Sequence, residues 1–193
     1  MPRPLVACAL LSLSVALGAA QRPPVSWLDQ PPTNWNRAGG QVPRAPVNGE
    51  TRASIIKRCT LEPPRTTGAE RAVEAAGWIP FWTFDQQLVR EDVEIVGGMR
   101  AADGMCRPMT YNLFVFVSGR FAGVLSPIPM NSRADSSLGA VRMPLPVLTA
   151  DFVRFAETDA LCCPSAHVTV RYRIDRTGVG PVVAPSEINP TRR

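Results

Sequence analysis

Tyr111-Asn112-Leu113-Phe114-Val115-Phe116-Val117-Ser118-Gly119-Arg120-Phe121-Ala122-Gly123 is the stretch that decides the fold. A run of aromatic and branched side chains meets a Ser-Gly pair and then resumes, the pattern of two antiparallel strands joined by a tight turn. Tyr111, Leu113, Val115 and Val117 alternate with Asn112, Phe114 and Phe116, so both faces of the first strand are mostly apolar. A strand apolar on both faces belongs at the centre of a sheet, with Phe114 and Phe116 buried.

Outward from this hairpin the period of strands continues. Val93 to Met99, Met109 to Val117 and Arg120 to Leu125 read as a meander, with turn chemistry at Ala102-Asp103-Gly104 and Ser118-Gly119-Arg120. After a loop from Ser126 to Ser137, further strands are expected at Gly139 to Met143, Phe152 to Glu157 and His167 to Asp175. The last of these alternates cleanly, with Val168, Val170, Tyr172 and Ile174 inward and Thr169, Arg171, Arg173 and Asp175 outward. Pro181 to Pro185 is a final extended piece. Upstream, Thr67 with Glu70 three residues on forms a capping box, Ala69 to Ala76 favour helix, and Gly77 ends it. The stretch Trp78-Ile79-Pro80-Phe81-Trp82-Thr83-Phe84 is too aromatic for a solvated loop, and Pro80 bars it from a central strand, so it should seal an edge of the core. These elements predict an α+β fold, a short helix packed on an antiparallel meander sheet of about five to seven strands, stapled by disulfides.

The chain has 193 residues, 45% of them hydrophobic, which is enough for one core; Pro 20 and Gly 14 exclude long bundles and coiled coils. The organisation expected is a signal peptide over 1–20, a Pro-rich linker, extended or disordered, over 21–52, one globular domain over 53–188 and a polar tail over 189–193. Leu5 to Leu17 is an almost unbroken apolar run and Gly18-Ala19-Ala20 is small where a signal peptidase cuts, so the mature chain is expected to begin near Gln21. That places it in a secreted or periplasmic setting with no transmembrane segment in the mature chain. Leu5-Val6-Ala7-Cys8 has the look of a lipidation site, but cleavage there would leave almost no hydrophobic region before the cysteine. Within the linker, Trp27 and Trp35 should dock on their own domain.

Removal of Cys8 with the signal leaves Cys59, Cys106, Cys162 and Cys163, an even count in an oxidising compartment, and hence two disulfides. A bond between adjacent cysteines departs from usual disulfide geometry. The expectation is therefore that Cys162 and Cys163 each bond a different one of Cys59 and Cys106.

Catalytic signatures are sparse. The sequence has no Gly-x-Ser-x-Gly elbow, phosphate loop, dinucleotide fingerprint or His-Glu-x-x-His pair. His167 is the only histidine, so the alternative of a thiol redox or metal-binding protein rests on His167 with Cys162 and Cys163. Asp85, Glu91, Asp92 and Glu94 form an acidic cluster without calcium-loop spacing. Of Lys+Arg 21, only Lys57 is a lysine, and the arginines are scattered, not interleaved with aromatics on one strand face; nucleic acid is not the expected partner.

Two further elements join the hairpin: Cys162-Cys163-Pro164-Ser165 and the strand Val168-Thr169-Val170-Arg171-Tyr172-Arg173. With Tyr111 to Gly123 they make a combination over about 90–175 that resembles bacterial exported proteins of the LppP/LprE lipoprotein type. The resemblance implies an envelope-associated domain with no catalytic residues to carry over. The resulting expectation is a non-catalytic envelope or extracellular module with a structural or binding role, an unidentified envelope partner and no cofactor.

Overall fold

The computed structural model describes residues 25–47, 49–61, 66–81 and 88–192. The segments read as signal peptide and lipidation site, together with Trp82 to Phe84 and Asp85, lie outside these residues. Five strands make a first antiparallel sheet. β1 (Ile79–Phe81) and β2 (Leu88–Arg90) pair with one edge of β3 (Val93–Ala102), whose other edge pairs with β4 (Pro108–Val117), which in turn pairs with β5 (Arg120–Val124). Pro80 sits in the edge strand β1, where its missing N–H costs no ladder bond. Ser118 and Gly119 both take positive φ, 49° and 72°, as the tight turn between β4 and β5 requires.

The remaining strands make a second sheet instead of extending the first. β6 (Leu138–Arg142), β7 (Val147–Arg154), β8 (Ala166–Asp175) and β9 (Val182–Arg192) pair antiparallel in that order. The α+β class holds, but the single meander is replaced by two sheets and nine strands among the described residues. The supposed tail is also corrected: β9 pairs with β8 as far as Ala166 opposite Arg192, because ladder bonds come from the backbone and tolerate polar side chains on an edge strand.

One apolar cluster joins the sheets. Ile95, Leu113, Val115 and Val117 from the first pack with Leu148, Phe152, Val170 and Tyr172 from the second, and all are essentially inaccessible to water. Phe114 and Phe116 point to the opposite face of β4, into a separate cluster with Val73, Trp78 and Val96. That cluster lies beneath α2 (Gly68–Ala75), which follows α1 (Arg52–Cys59). The expected capping box is present: Glu70 donates its backbone N–H to Thr67 Oγ1 (3.1 Å), and its carboxylate accepts from the N–H groups of Thr66 (2.8 Å) and Thr67 (3.1 Å). This is how a carboxylate only 2% exposed is satisfied. α1 adds Ile55, fully buried, to the main core.

Residues 25–47 have no regular structure beyond a 3₁₀ turn at Trp27–Asp29, yet they run as a strap across the domain. Leu28 is buried, and Asn36 joins the two sheets. The Asn36 Nδ2 donates to the carbonyls of Val124 in β5 (2.9 Å) and Val183 in β9 (2.8 Å), while its Oδ1 accepts from the Val124 N–H (2.9 Å). Gly123, at φ 138°, leaves the room this amide occupies; a Cβ there would overlap the Asn36 side chain.

Candidate functional site

The four cysteines divide differently from the sequence expectation. Cys59 and Cys106 bond each other, with Cα atoms 5.4 Å apart, and Cys162 bonds Cys163. The reason lies in α1, whose last residue is Cys59 and which packs on β3. Its end is clamped to the β3–β4 turn by Arg58, which donates to the carbonyls of Asp103 (2.8 Å) and Ala102 (3.1 Å). Cys106 stands in that turn, at φ 61°. Cys162 and Cys163 lie in the β7–β8 connection of the other sheet, and with Cys59 and Cys106 bonded to each other they are the two cysteines left among the described residues. Closing a loop over a sequence separation of 47, the first bond is worth about 4 kcal/mol in chain entropy.

The Cys162–Cys163 loop is closed by hydrogen bonds of its own. The Asp159 carboxylate accepts from the backbone N–H groups of Ala156 (2.7 Å) and Ser165 (2.8 Å), and these donors hold its carboxyl below the usual range. Cys163 N–H donates to the Ala160 carbonyl (2.8 Å). Both cysteines are exposed, and Leu161 beside them is 65% exposed. His167 is the second residue of β8, paired with Val153 and Thr191, and its Nε2 is buried without a hydrogen-bond partner. Among the described residues no three His, Cys, Asp or Glu side chains converge as a metal set, so Cys162, Cys163 and His167 are not gathered into one.

Of the acidic cluster, the described residues Glu91, Asp92 and Glu94 stand in separate surroundings. Asp92 accepts from both terminal guanidinium nitrogens of Arg176 (2.6 and 2.9 Å) and from Ser118 Oγ (2.6 Å), which lower its carboxyl pKa in that order. Glu94 accepts from Thr67 Oγ1 (2.6 Å), tying β3 to the start of α2. Glu91 takes a positive φ of 54° in the turn between β2 and β3.

The strap shapes the recesses of the domain. Trp27 stands edge-on to Phe152 (centroids 5.0 Å) and to Trp35 (5.3 Å), and Trp35 stands edge-on to Tyr172 (6.4 Å) while its Nε1 donates to the Val124 carbonyl (3.0 Å). Beside these rings is a recess of about 180 Å³ walled by Trp27, Trp35, Pro31, Pro32, Pro127 and Ile188. A wider groove of about 470 Å³ runs between the strap and α2, with Phe116, Phe121, Val42 and Arg44 in its walls. Such walls present apolar surface and aromatic ring faces. The sequence flagged both tryptophans but not Asn36, whose only sequence signal is an amide inside an otherwise undistinguished polar stretch.

The fold defines an α+β domain of two stacked antiparallel sheets with a helix outside the first. Residues 92–177, from the turn before β3 to just past β8, match the family model of the LppP/LprE lipoprotein. The match contains the central hairpin and the Cys162-Cys163-Pro164 loop, the elements on which the resemblance rests. No curated protein and no solved structure matches the chain. No helix among the described residues is long and apolar enough to cross a membrane.

Proposed function

We propose that this protein is an exported, envelope-associated module that binds a partner through its surface and performs no catalysis of its own. The observation that carries the reading is the match of residues 92–177 to a lipoprotein family. Two others support it: the Cys59–Cys106 bond suits an oxidising compartment, and the recesses beside the strap are walled by indole, proline and phenylalanine rings, surfaces suited to contact recognition. In this reading residues 1–20 direct export and the mature chain starts near Gln21.

Expression of the full chain in a bacterium, followed by fractionation and N-terminal sequencing, tests the proposal. The expected result is a processed form in the envelope or exported fraction with Cys59 and Cys106 oxidised. An unprocessed chain in the cytosol, with those thiols reduced, would overturn it. A mature terminus at a lipidated Cys8 would keep the envelope and replace the soluble start at Gln21 with a lipid anchor.

A further inference from the structure

We propose that the Cys162–Cys163 bond is a reversible thiol–disulfide exchange site, opened by a dithiol without disturbing the fold, and that Cys59–Cys106 alone is the structural staple. A disulfide stabilises a protein chiefly by shortening the loops of the unfolded chain, and that effect grows with the loop closed. Cys59–Cys106 spans 47 positions, whereas Cys162–Cys163 spans 1: it fixes the two residues it joins but closes no long loop of the chain. Two side chains that add so little to folding, yet sit together at a loop tip, are placed for chemistry.

Access points the same way. Cys59 is half-buried and packs against the main core, whereas Cys162 and Cys163 are both exposed. Exposed disulfides are the ones open to attack by a thiolate. The loop neck is held by Asp159 through the N–H groups of Ala156 and Ser165, and by Cys163 N–H on Ala160, so neither sulfur is needed to keep the loop closed. Reduction can therefore proceed and reverse in the folded protein.

The exchange balances with a dithiol as the only co-reactant. One of its sulfurs, as thiolate, attacks the Sγ of Cys162 or Cys163; the S–S bond breaks, and the electron pair departs on the other cysteine sulfur, which takes up a proton. The second sulfur of the dithiol, giving up its proton, then attacks the dithiol's first sulfur; the mixed S–S bond breaks, and the cysteine sulfur leaves with the electron pair and takes up a proton. Cys162 and Cys163 end as two thiols and the dithiol ends as a disulfide, two electrons and two protons having passed between them. The pair lies in a loop, not at a helix N-terminus, so its thiols lack that source of activation and the exchange is a stoichiometric switch, not a turnover site.

The test uses the full chain with its native bonds and dithiothreitol as the probe, with alkylation, peptide mass mapping and a thermal melt at each concentration. Cys162 and Cys163 are expected to become alkylated together at a concentration roughly tenfold or more below that which opens Cys59–Cys106. The thermal midpoint should stay unchanged at that stage, and oxidised glutathione should restore the bond. In parallel, the double variant Cys162→Ser/Cys163→Ser should melt like the parent, whereas Cys59→Ser should melt lower. Opening of both bonds together, a fall in midpoint when only Cys162–Cys163 is reduced, or alkylation of Cys162 and Cys163 before any reductant is added would each overturn the proposal. None of these outcomes depends on the compartment in which the chain is found.

Discussion

β4 and β8 are each 10 residues long and each lies inside its sheet, yet β4 is buried without a break from Tyr111 to Val117 while β8 buries every second residue from Val168 to Ile174. The difference is one of layers. β4 has α2 on one side and the second sheet on the other; β8 has the first sheet on one side and water on the other. An unbroken apolar run and a strict alternation thus record how many neighbours a sheet has, and together they order the layers as helix, first sheet, second sheet, solvent.

The sharpest way to break this comparison is to truncate the outer face of each strand. Phe114, fully buried against Trp78 with ring centroids 5.2 Å apart, should cost roughly 3–5 kcal/mol when changed to Ala. Arg171, on the outer face of β8, holds Glu187 at 3.4 Å with both side chains about half exposed; Arg171→Ala should stay within about 0.5 kcal/mol. Urea unfolding of the two variants reads the contrast. Equal losses would mean that β8 is covered on both faces, or that β4 is not.

A second experiment asks what joins the sheets. Asn36→Ala removes the amide that bridges β5 and β9 and leaves the Val124 N–H and the Val183 carbonyl without it, at a cost of roughly 1–3 kcal/mol. Gly123→Ala should lose a comparable amount by pushing the same amide out, so the double variant should fall well short of the sum of the single ones. Full additivity would separate the two residues and leave the strap as a passive cover.

Much of this architecture was legible. The strands of the central hairpin, the alternation of β8 and the Thr67–Glu70 capping box are local patterns, and the periodicity of burial writes them directly into the chain. What the sequence did not carry is the relation between distant parts. Nothing in Leu138 to Arg142 says that a new sheet begins there, because a strand looks the same whichever sheet it joins. The strap has proline where periodicity would be sought, and a single asparagine does its joining. α1 is short, and its apolar residues Ile55, Ile56 and Cys59 follow directly on the proline-rich stretch, so the helix that carries Cys59 to Cys106 went unseen. The expected cysteine pairing fails for that reason: α1 brings Cys59 to Cys106 beside the first sheet, while Cys162 and Cys163 belong to the second.

The smallest effect expected concerns the other end of the strap. Arg154 at the end of β7 donates to Asp29 through both terminal nitrogens (2.7 and 3.0 Å) and to Asp135 through Nε (2.8 Å), latching the strap to the second sheet. The Arg154 hydrogen bond is the main cause that holds the Asp29 carboxyl below its ordinary 3.8, with desolvation opposing. A carboxyl whose pKa is lower in the folded state binds protons more readily when unfolded. Its contribution is therefore present above the ordinary value and lost as pH falls through the lowered one. The latch should hold at pH 7 and weaken below about pH 4. Because the side chains are 24% and 46% exposed, Arg154→Met should cost no more than about 1 kcal/mol at pH 7. At pH 3 the parent and the variant should lie closer in urea midpoint than they do at pH 7. A gap that stays constant across that range would show that the strap is held at this end by the packing of Leu28 and Trp27 alone.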